Sequence, residues 1–92
     1  MSDDSRDHLR TASDLLADAA AGTDGDTADR LSGFADRVAG WADGKNDPDH
    51  GALANVLLKL DDLADDVDDE TAETIQTARS EITEFRKTVE GV

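Results

Sequence analysis

The chain has 92 residues, no cysteine and a formal net charge of −14, which arises from 23 acidic and 9 basic residues. This length suits one small domain, and the lack of cysteine excludes disulfides, thiolate metal sites and thiol nucleophiles. No apolar stretch approaches the roughly 20 residues of a membrane span, and the acidic start Met1–Asp4 is unlike a secretory signal, so we expect a cytoplasmic protein without membrane contact.

Apolar residues recur at spacings of three and four residues in four successive segments, which predicts four amphipathic helices. The predicted helices cover about residues 5–21, 27–43, 48–66 and 70–90. Asp47 is expected to cap the third helix, with Pro48 in its first turn. The matched lengths and short connections predict an all-α fold, an antiparallel up-down-up-down four-helix bundle that takes in residues 1–92 as one domain.

The choice of charged residues points to a particular solvent. Asp outnumbers Glu 18 to 5 and Arg outnumbers Lys 6 to 3, although Asp is a poor helix former. Self-repulsion should destabilise this chain in dilute buffer, whereas at molar salt the Debye length falls to about 3 Å. We therefore expect adaptation to a hypersaline cytoplasm, with a bundle that is folded in molar KCl and weakened in dilute buffer. Functional acidity is the alternative.

Several features of the sequence are typical of one group of proteins. They are the acidic start Ser2-Asp3-Asp4, the Asp-rich helix face from Asp61 to Asp66, and the scarcity of Lys. In these features the whole chain resembles the short, uncharacterised acidic helical proteins of halophilic archaea, whose families carry no assigned activity. The resemblance implies a habitat and no functional residues.

The weak candidate for a metal site is the sequence Asp47-Pro48-Asp49-His50. A divalent cation could bridge Asp47, Asp49 and His50 only if this turn folded inward. Neither His50 nor His8 belongs to a two-histidine spacing, and no further ligand is evident. We expect structural or solvated histidines, and we predict no cofactor.

An acidic patch joins the end of the third helix to the start of the fourth. Its seven carboxylates within ten residues are Asp61, Asp62, Asp65, Asp66, Asp68, Asp69 and Glu70. The patch could be a hydrated face, or it could imitate a phosphate backbone and occupy the basic groove of another protein. Direct binding of nucleic acid is disfavoured, because the sequence has no basic stripe that could neutralise phosphates.

Arg79 and Arg86 lie seven residues apart, beside the apolar stripe of the fourth helix. Their stems can cover the edge of the core while the guanidinium groups reach Asp residues of an adjacent helix. We predict structural ion pairs, with an anionic ligand as the alternative.

Three outward-facing residues are candidates for an interface. Gly33 and Gly40 lie seven residues apart, on the face opposite the apolar stripe of the second helix, and Leu58 points away from the stripe of the third. A glycine inside a helix costs about 1 kcal/mol relative to Ala. Close approach of another chain would explain why this helix keeps two. The alternative is that the helix simply tolerates them.

The sequence carries no nucleophile elbow, phosphate-binding glycine loop or Ser-His-Asp combination, and its inward positions contain no acid that a pocket could tune. We predict that the protein is not an enzyme. The leading hypothesis is a helical module that acts through contact with a protein partner or with itself as a homodimer. The alternatives are an acidic nucleic-acid mimic that binds basic proteins, and a weak divalent-cation-binding protein.

Overall fold

A computed structural model describes residues 5–45 and 47–89 of the chain, and these residues form helices and no strand. The four helices are α1 (Ser5–Ala21), α2 (Gly25–Ala42), α3 (His50–Ala64) and α4 (Asp69–Arg86). The predicted all-α four-helix bundle is confirmed. The acidic start at residues 2–4 lies outside the described residues. The predicted end of the fourth helix at residue 90 is wrong, because α4 ends at Arg86 and the N–H groups of Thr88 and Val89 bond only three residues back. Helix α2 begins at Gly25, two residues before its predicted start.

The predicted N-cap of α3 is wrong. Asp49, and not Asp47, has extended backbone dihedral angles, and its side chain accepts a hydrogen bond of 2.7 Å from the backbone N–H of Ala52. This bond satisfies one of the N–H groups that the first turn of a helix leaves without a partner. The helix therefore begins at His50, two residues later than predicted, and it ends at Ala64, two residues earlier.

Asp68 caps α4 in the same way, and its carboxylate accepts a hydrogen bond of 2.8 Å from the backbone N–H of Thr71. This bond, with a smaller contribution from the Thr71 side chain, lowers the pKa of Asp68 below its usual value. Asp24 occupies the corresponding position before α2 but makes no side-chain capping bond. Among the described residues, Asp49 and Asp68 therefore make side-chain capping bonds, whereas Asp24 does not.

The contacts of α1 show that it runs antiparallel to α2. Arg6 donates to the backbone oxygen of Trp41 (3.2 Å), whereas Ser13, two turns further along α1, donates to that of Ala35 (3.1 Å). Residues later in α1 therefore contact residues earlier in α2, as in an antiparallel pair. Near its start α1 also meets α4, where His8 Nδ1 lies 2.7 Å from a carboxylate oxygen of α4.

The other pair, α3 and α4, is likewise antiparallel. Arg79 donates to the backbone oxygen of Leu57 (2.9 Å), and Arg86 contacts His50 at the start of α3 (3.3 Å). Together these contacts give the up-down-up-down order. The packing is uneven, however, because α1 packs closely on α2 and α4, and α4 on α3, whereas α2 and α3 contact each other little.

One apolar core links all four helices. Its fully buried large side chains are Leu9, Leu16, Leu31, Val38, Leu53, Val56, Leu60, Ile75 and Ile82. The one buried polar residue in the described part of the chain is Thr71, in the first turn of α4. None of the helices in the described ranges is both long enough and apolar enough to cross a bilayer.

Candidate interaction surface

The open side of the bundle lies between α2 and α3, and two cavities mark it. The first, of about 410 Å³, lies where α2 ends and α3 begins. Its α2 wall includes Arg37, Gly40 and Trp41, and Pro48 and Ala52 lie across from them. Trp41 is only 6% exposed, so one edge of its ring system forms part of the cavity while the rest contributes to the core.

The second cavity, of about 320 Å³, lies at the opposite end of the same side, where α2 begins and α3 ends. Arg30 and Phe34 come from α2, and Lys59 and Leu63 from α3. Phe34 is half-buried and packs against the core. We call the surface that contains the two cavities the α2–α3 groove. It consists of the residues between Arg30 and Lys45, and between Pro48 and Asp66, that face this open side of the bundle.

Gly33 and Gly40 have no packing reason to be glycine within this chain. A Cβ atom added at either position would meet no atom within 4 Å, and both residues have ordinary helical surroundings. Gly40 lines the first cavity, and Gly33, seven residues earlier, shares its face of α2. Gly44 differs, because its φ is +78° and an added Cβ would lie 2.7 Å from a side-chain nitrogen of Arg6.

The structure does not bring Leu58 to the groove. Leu58 is 64% exposed, as its outward position in the sequence predicts. It lines neither cavity of the groove. An α-helix turns about 100° per residue, so Leu58 points away from the side on which Lys59 lines the second cavity. The three interface candidates therefore do not form one surface, and only the two glycines lie together.

Most of the basic residues have partners within the bundle. Ion pairs join Arg6 to Asp47 (3.2 Å), Arg10 to Asp43 (3.3 Å), Arg79 to Asp61 (3.5 Å) and Lys87 to Glu84 (3.0 Å). The contact between Arg79 and an Asp of the adjacent helix is the one predicted from sequence. Arg86 was predicted to make a similar pair, but it donates instead to Nδ1 of His50.

The remaining four basic residues, Arg30, Arg37, Lys45 and Lys59, make no ion pair and no side-chain hydrogen bond with any described residue. All four line the α2–α3 groove, two at each cavity. In a chain with 23 acids and 9 bases, this concentration of unpaired bases on one side is unexpected. Sequence reasoning missed it, because the sequence does not show which acids lie within reach of each base.

Acidic residues also line the groove, but they differ in their surroundings. Asp47 is paired with Arg6, and Asp49 caps α3. Asp36 at the first cavity, and Asp62 and Asp66 at the second, have no such partner among the described residues. Asp49 makes no ion pair either, because its partner is a neutral backbone N–H. The groove lining thus carries four bases and four acids that make no ion pair, which is close to neutral in a protein of net charge −14.

The weak metal candidate does not assemble into one site. The carboxylate of Asp47 faces Arg6 at 3.2 Å, that of Asp49 faces the backbone of α3, and His50 turns towards Arg86 on α4. Within residues 5–45 and 47–89, no group of three His, Asp or Glu side chains is placed to hold a metal ion.

The acidic patch from Asp61 to Glu70 is exposed but does not form a single surface. Asp61 accepts from the Gln76 amide of α4 at 3.0 Å, whereas Asp62 and Asp66 face α2 across the second cavity. Asp68 is engaged as the cap of α4. The patch therefore wraps around the end of α3, and its members serve different local roles.

Comparison with known proteins gives one match. The model of a family described as a family of unknown function (DUF7553) matches residues 4–88. The chain belongs to this family. The match takes in all four helices, so the DUF7553 domain and the four-helix bundle coincide. No curated protein and no solved structure matches the chain. The predicted membership of a family without an assigned activity is confirmed, and the halophilic archaeal origin stays a prediction.

Proposed function

We propose that the protein is a non-enzymatic helical module that acts through protein–protein contact, with the α2–α3 groove as its contact surface. The observation that carries this proposal is the empty space around Gly33 and Gly40. Each glycine costs about 1 kcal/mol relative to Ala in a helix interior, and no contact with a described residue offsets that cost. The backbone of a bound chain can approach closest where the helix surface has no side chain.

The chemistry of the groove fits this role. Protein interfaces combine aromatic and Arg residues at their centre with a polar rim. Phe34 and Trp41 lie at the two cavities, and Arg30 and Arg37 lie beside them on α2. The remaining helix surfaces offer a single large exposed apolar residue, Leu58, among the described residues.

The setting that we propose is a halophilic cytoplasm, and it rests on the acidic composition. With 23 acids against 9 bases, repulsion between carboxylates falls sharply only when salt shortens the Debye length to about 3 Å. Circular dichroism during thermal unfolding measures this directly. We expect a higher unfolding midpoint in molar KCl than in dilute buffer, and equal midpoints would favour functional acidity.

The two alternative functions have less support. An acidic mimic of nucleic acid needs a continuous row of carboxylates, but Asp61 and Asp66 lie on different sides of α3. A cation site needs Asp47, Asp49 and His50 to converge, but each of them has a different partner.

Site-specific photocrosslinking tests the contact surface. A photoreactive amino acid replaces Asn55, which is exposed on α3 one turn before the groove residue Lys59. In a matched control it replaces Ser80, which is exposed on α4. Gly33 and Gly40 are both kept, so the close approach is not blocked. Both variants are expressed in a salt-adapted host and irradiated in the cell. We expect discrete protein adducts from position 55 and almost none from position 80. Absence of adducts at both positions, or equal labelling, would refute the proposed function.

A further inference from the structure

We infer that the occupant of the α2–α3 groove is a second copy of this chain, paired across a two-fold axis so that the two grooves face each other. This inference rests on the proposed function and adds the identity of the partner. It follows from the distribution of charge on the bundle, from the positions of the acids and bases within the groove, and from the glycine face of α2.

The net charge makes most contacts between two copies unfavourable. Each copy carries −14, and like charges brought close to one another are destabilising. The four bases without a partner, Arg30, Arg37, Lys45 and Lys59, all lie at the groove. A copy that approaches at the groove therefore meets nearly balanced charge, whereas a copy that approaches elsewhere meets carboxylates or bases that are already paired.

A two-fold contact also requires a surface that is complementary to itself. Within the groove, Arg30 and Arg37 lie along α2, whereas Asp62 and Asp66 lie along α3. An axis parallel to the helices places α2 of one copy over α3 of the other with the same ends together. Arg30 can then reach Asp62 and Asp66 of its mate at the second cavity. Arg37 can reach Asp49 of its mate at the first cavity. Because the axis repeats every contact, both edges of the interface gain pairs of opposite sign.

A foreign helix of one charge sign fits this groove less well. An acidic helix would satisfy the four bases but would also meet Asp36, Asp62 and Asp66, and a basic helix would meet the bases. In molar salt only charges in direct contact still interact strongly, since the Debye length is about 3 Å. A partner of mixed sign is therefore favoured, and the groove itself is such a surface.

The apolar parts of the groove are suited to the same contact. Phe34 is half-buried, so it has contact surface available while it remains anchored in the core. Trp41 lines the first cavity but is only 6% exposed, so it adds little contact area. Gly33 and Gly40 lie two turns apart with open space above them. A second helix can therefore approach the α2 backbone closely along its length.

Sedimentation equilibrium in molar KCl tests the inference with two variants of equal charge. The first carries Arg30→Gln and Arg37→Gln, and the control carries Arg10→Gln and Lys87→Gln outside the groove. Both lower the net charge by the same amount, so non-specific repulsion is matched. An exposed ion pair changes affinity by about two- to fivefold. Because of the two-fold axis, each lost ion pair is lost at two places in the dimer. We expect dimerisation at least about tenfold weaker in the first variant and within about twofold of wild type in the control.

A charge exchange tests the register of the contact. One chain carries Arg30→Asp, and a second carries Asp62→Arg and Asp66→Arg, all at the second cavity. If α2 of one copy lies over α3 of the other, each reversed chain should dimerise poorly alone. Mixing the two should restore association, because acidic α2 then faces basic α3. No gain on mixing would overturn this arrangement.

The outcomes separate this inference from the proposed function. A wild-type chain that stays monomeric in molar KCl at its highest soluble concentration would overturn the second-copy inference. The proposed function would then stand if position 55 crosslinks to a different protein, and it would fall if position 55 crosslinks to none. If the two charge-matched variants weaken the dimer equally, the assignment to the groove is overturned.

Discussion

Replacement of Gly33 and Gly40 by alanine should stabilise the isolated chain. An added methyl group at either position meets no atom within 4 Å, so no steric penalty opposes the gain in helix propensity. That gain is about 1 kcal/mol for each position and about 2 kcal/mol for the double variant, since the two sites do not touch each other. For a domain of this size, 1 kcal/mol corresponds to roughly 4–8 °C in the unfolding midpoint.

The assay is thermal and urea unfolding in molar KCl, at a protein concentration low enough to keep the chain monomeric. Gly44→Ala is the matched control, because Gly44 has a φ of +78° and its new methyl group would crowd Arg6. We expect it to destabilise the chain by about 1 kcal/mol or more. A loss of stability in the Gly33 or Gly40 variant would show that the monomer itself needs these glycines, and the main support for the interaction surface would be gone.

Three further predictions concern the caps and the core. Asp49→Ala should cost about 1 kcal/mol in urea unfolding, whereas Asp24→Ala should cost clearly less because Asp24 makes no capping bond; equal losses would contradict this. Because the pKa of Asp68 is lowered, its stabilising contribution is present above the ordinary pKa of an Asp side chain and is lost as the pH falls through the folded-state pKa. Asp68→Asn should therefore flatten the acid end of the stability profile relative to wild type. An unchanged slope would show that the hydrogen bond contributes little. Leu60→Ala, at a fully buried site, should cost about 2–5 kcal/mol, whereas Leu58→Ala, at a site 64% exposed, should change the free energy of unfolding by less than about 0.5 kcal/mol.

The four helices could be predicted from sequence because the apolar spacing is regular. Leu31 and Val38 lie seven residues apart in the predicted stripe of α2, and both are fully buried. Helix ends are less certain in the sequence, since Asp47 and Asp49 both precede α3 and either could cap it. In the structure Asp49 caps the helix, while the Asp47 carboxylate contacts Arg6 on α1, a tertiary contact that the sequence does not show.

The candidate surface could be predicted only in part. Spacing alone placed Gly33 and Gly40 together on an outward face of α2, and the structure agrees. Periodicity does not report how far apart two neighbouring helices lie, so the open side between α2 and α3 could not be foreseen. The unpaired bases could not be foreseen either, because with 18 Asp in the chain a residue such as Arg37 has several potential partners in sequence, and only the fold decides among them.

The distance between the grooves of two copies tests the central claim most directly. Because the chain has no cysteine, a nitroxide can be attached at a single introduced cysteine. One variant carries Asn55→Cys, on the exposed surface of α3 one turn before Lys59, and the other carries Ser80→Cys, on the exposed surface of α4. Electron–electron double resonance in molar KCl then measures the separation between copies. We predict an intermolecular distance for position 55 shorter than the 22 Å width of the bundle, and a longer distance for position 80. A shorter distance for position 80, or no dipolar coupling between copies at position 55, would contradict the account.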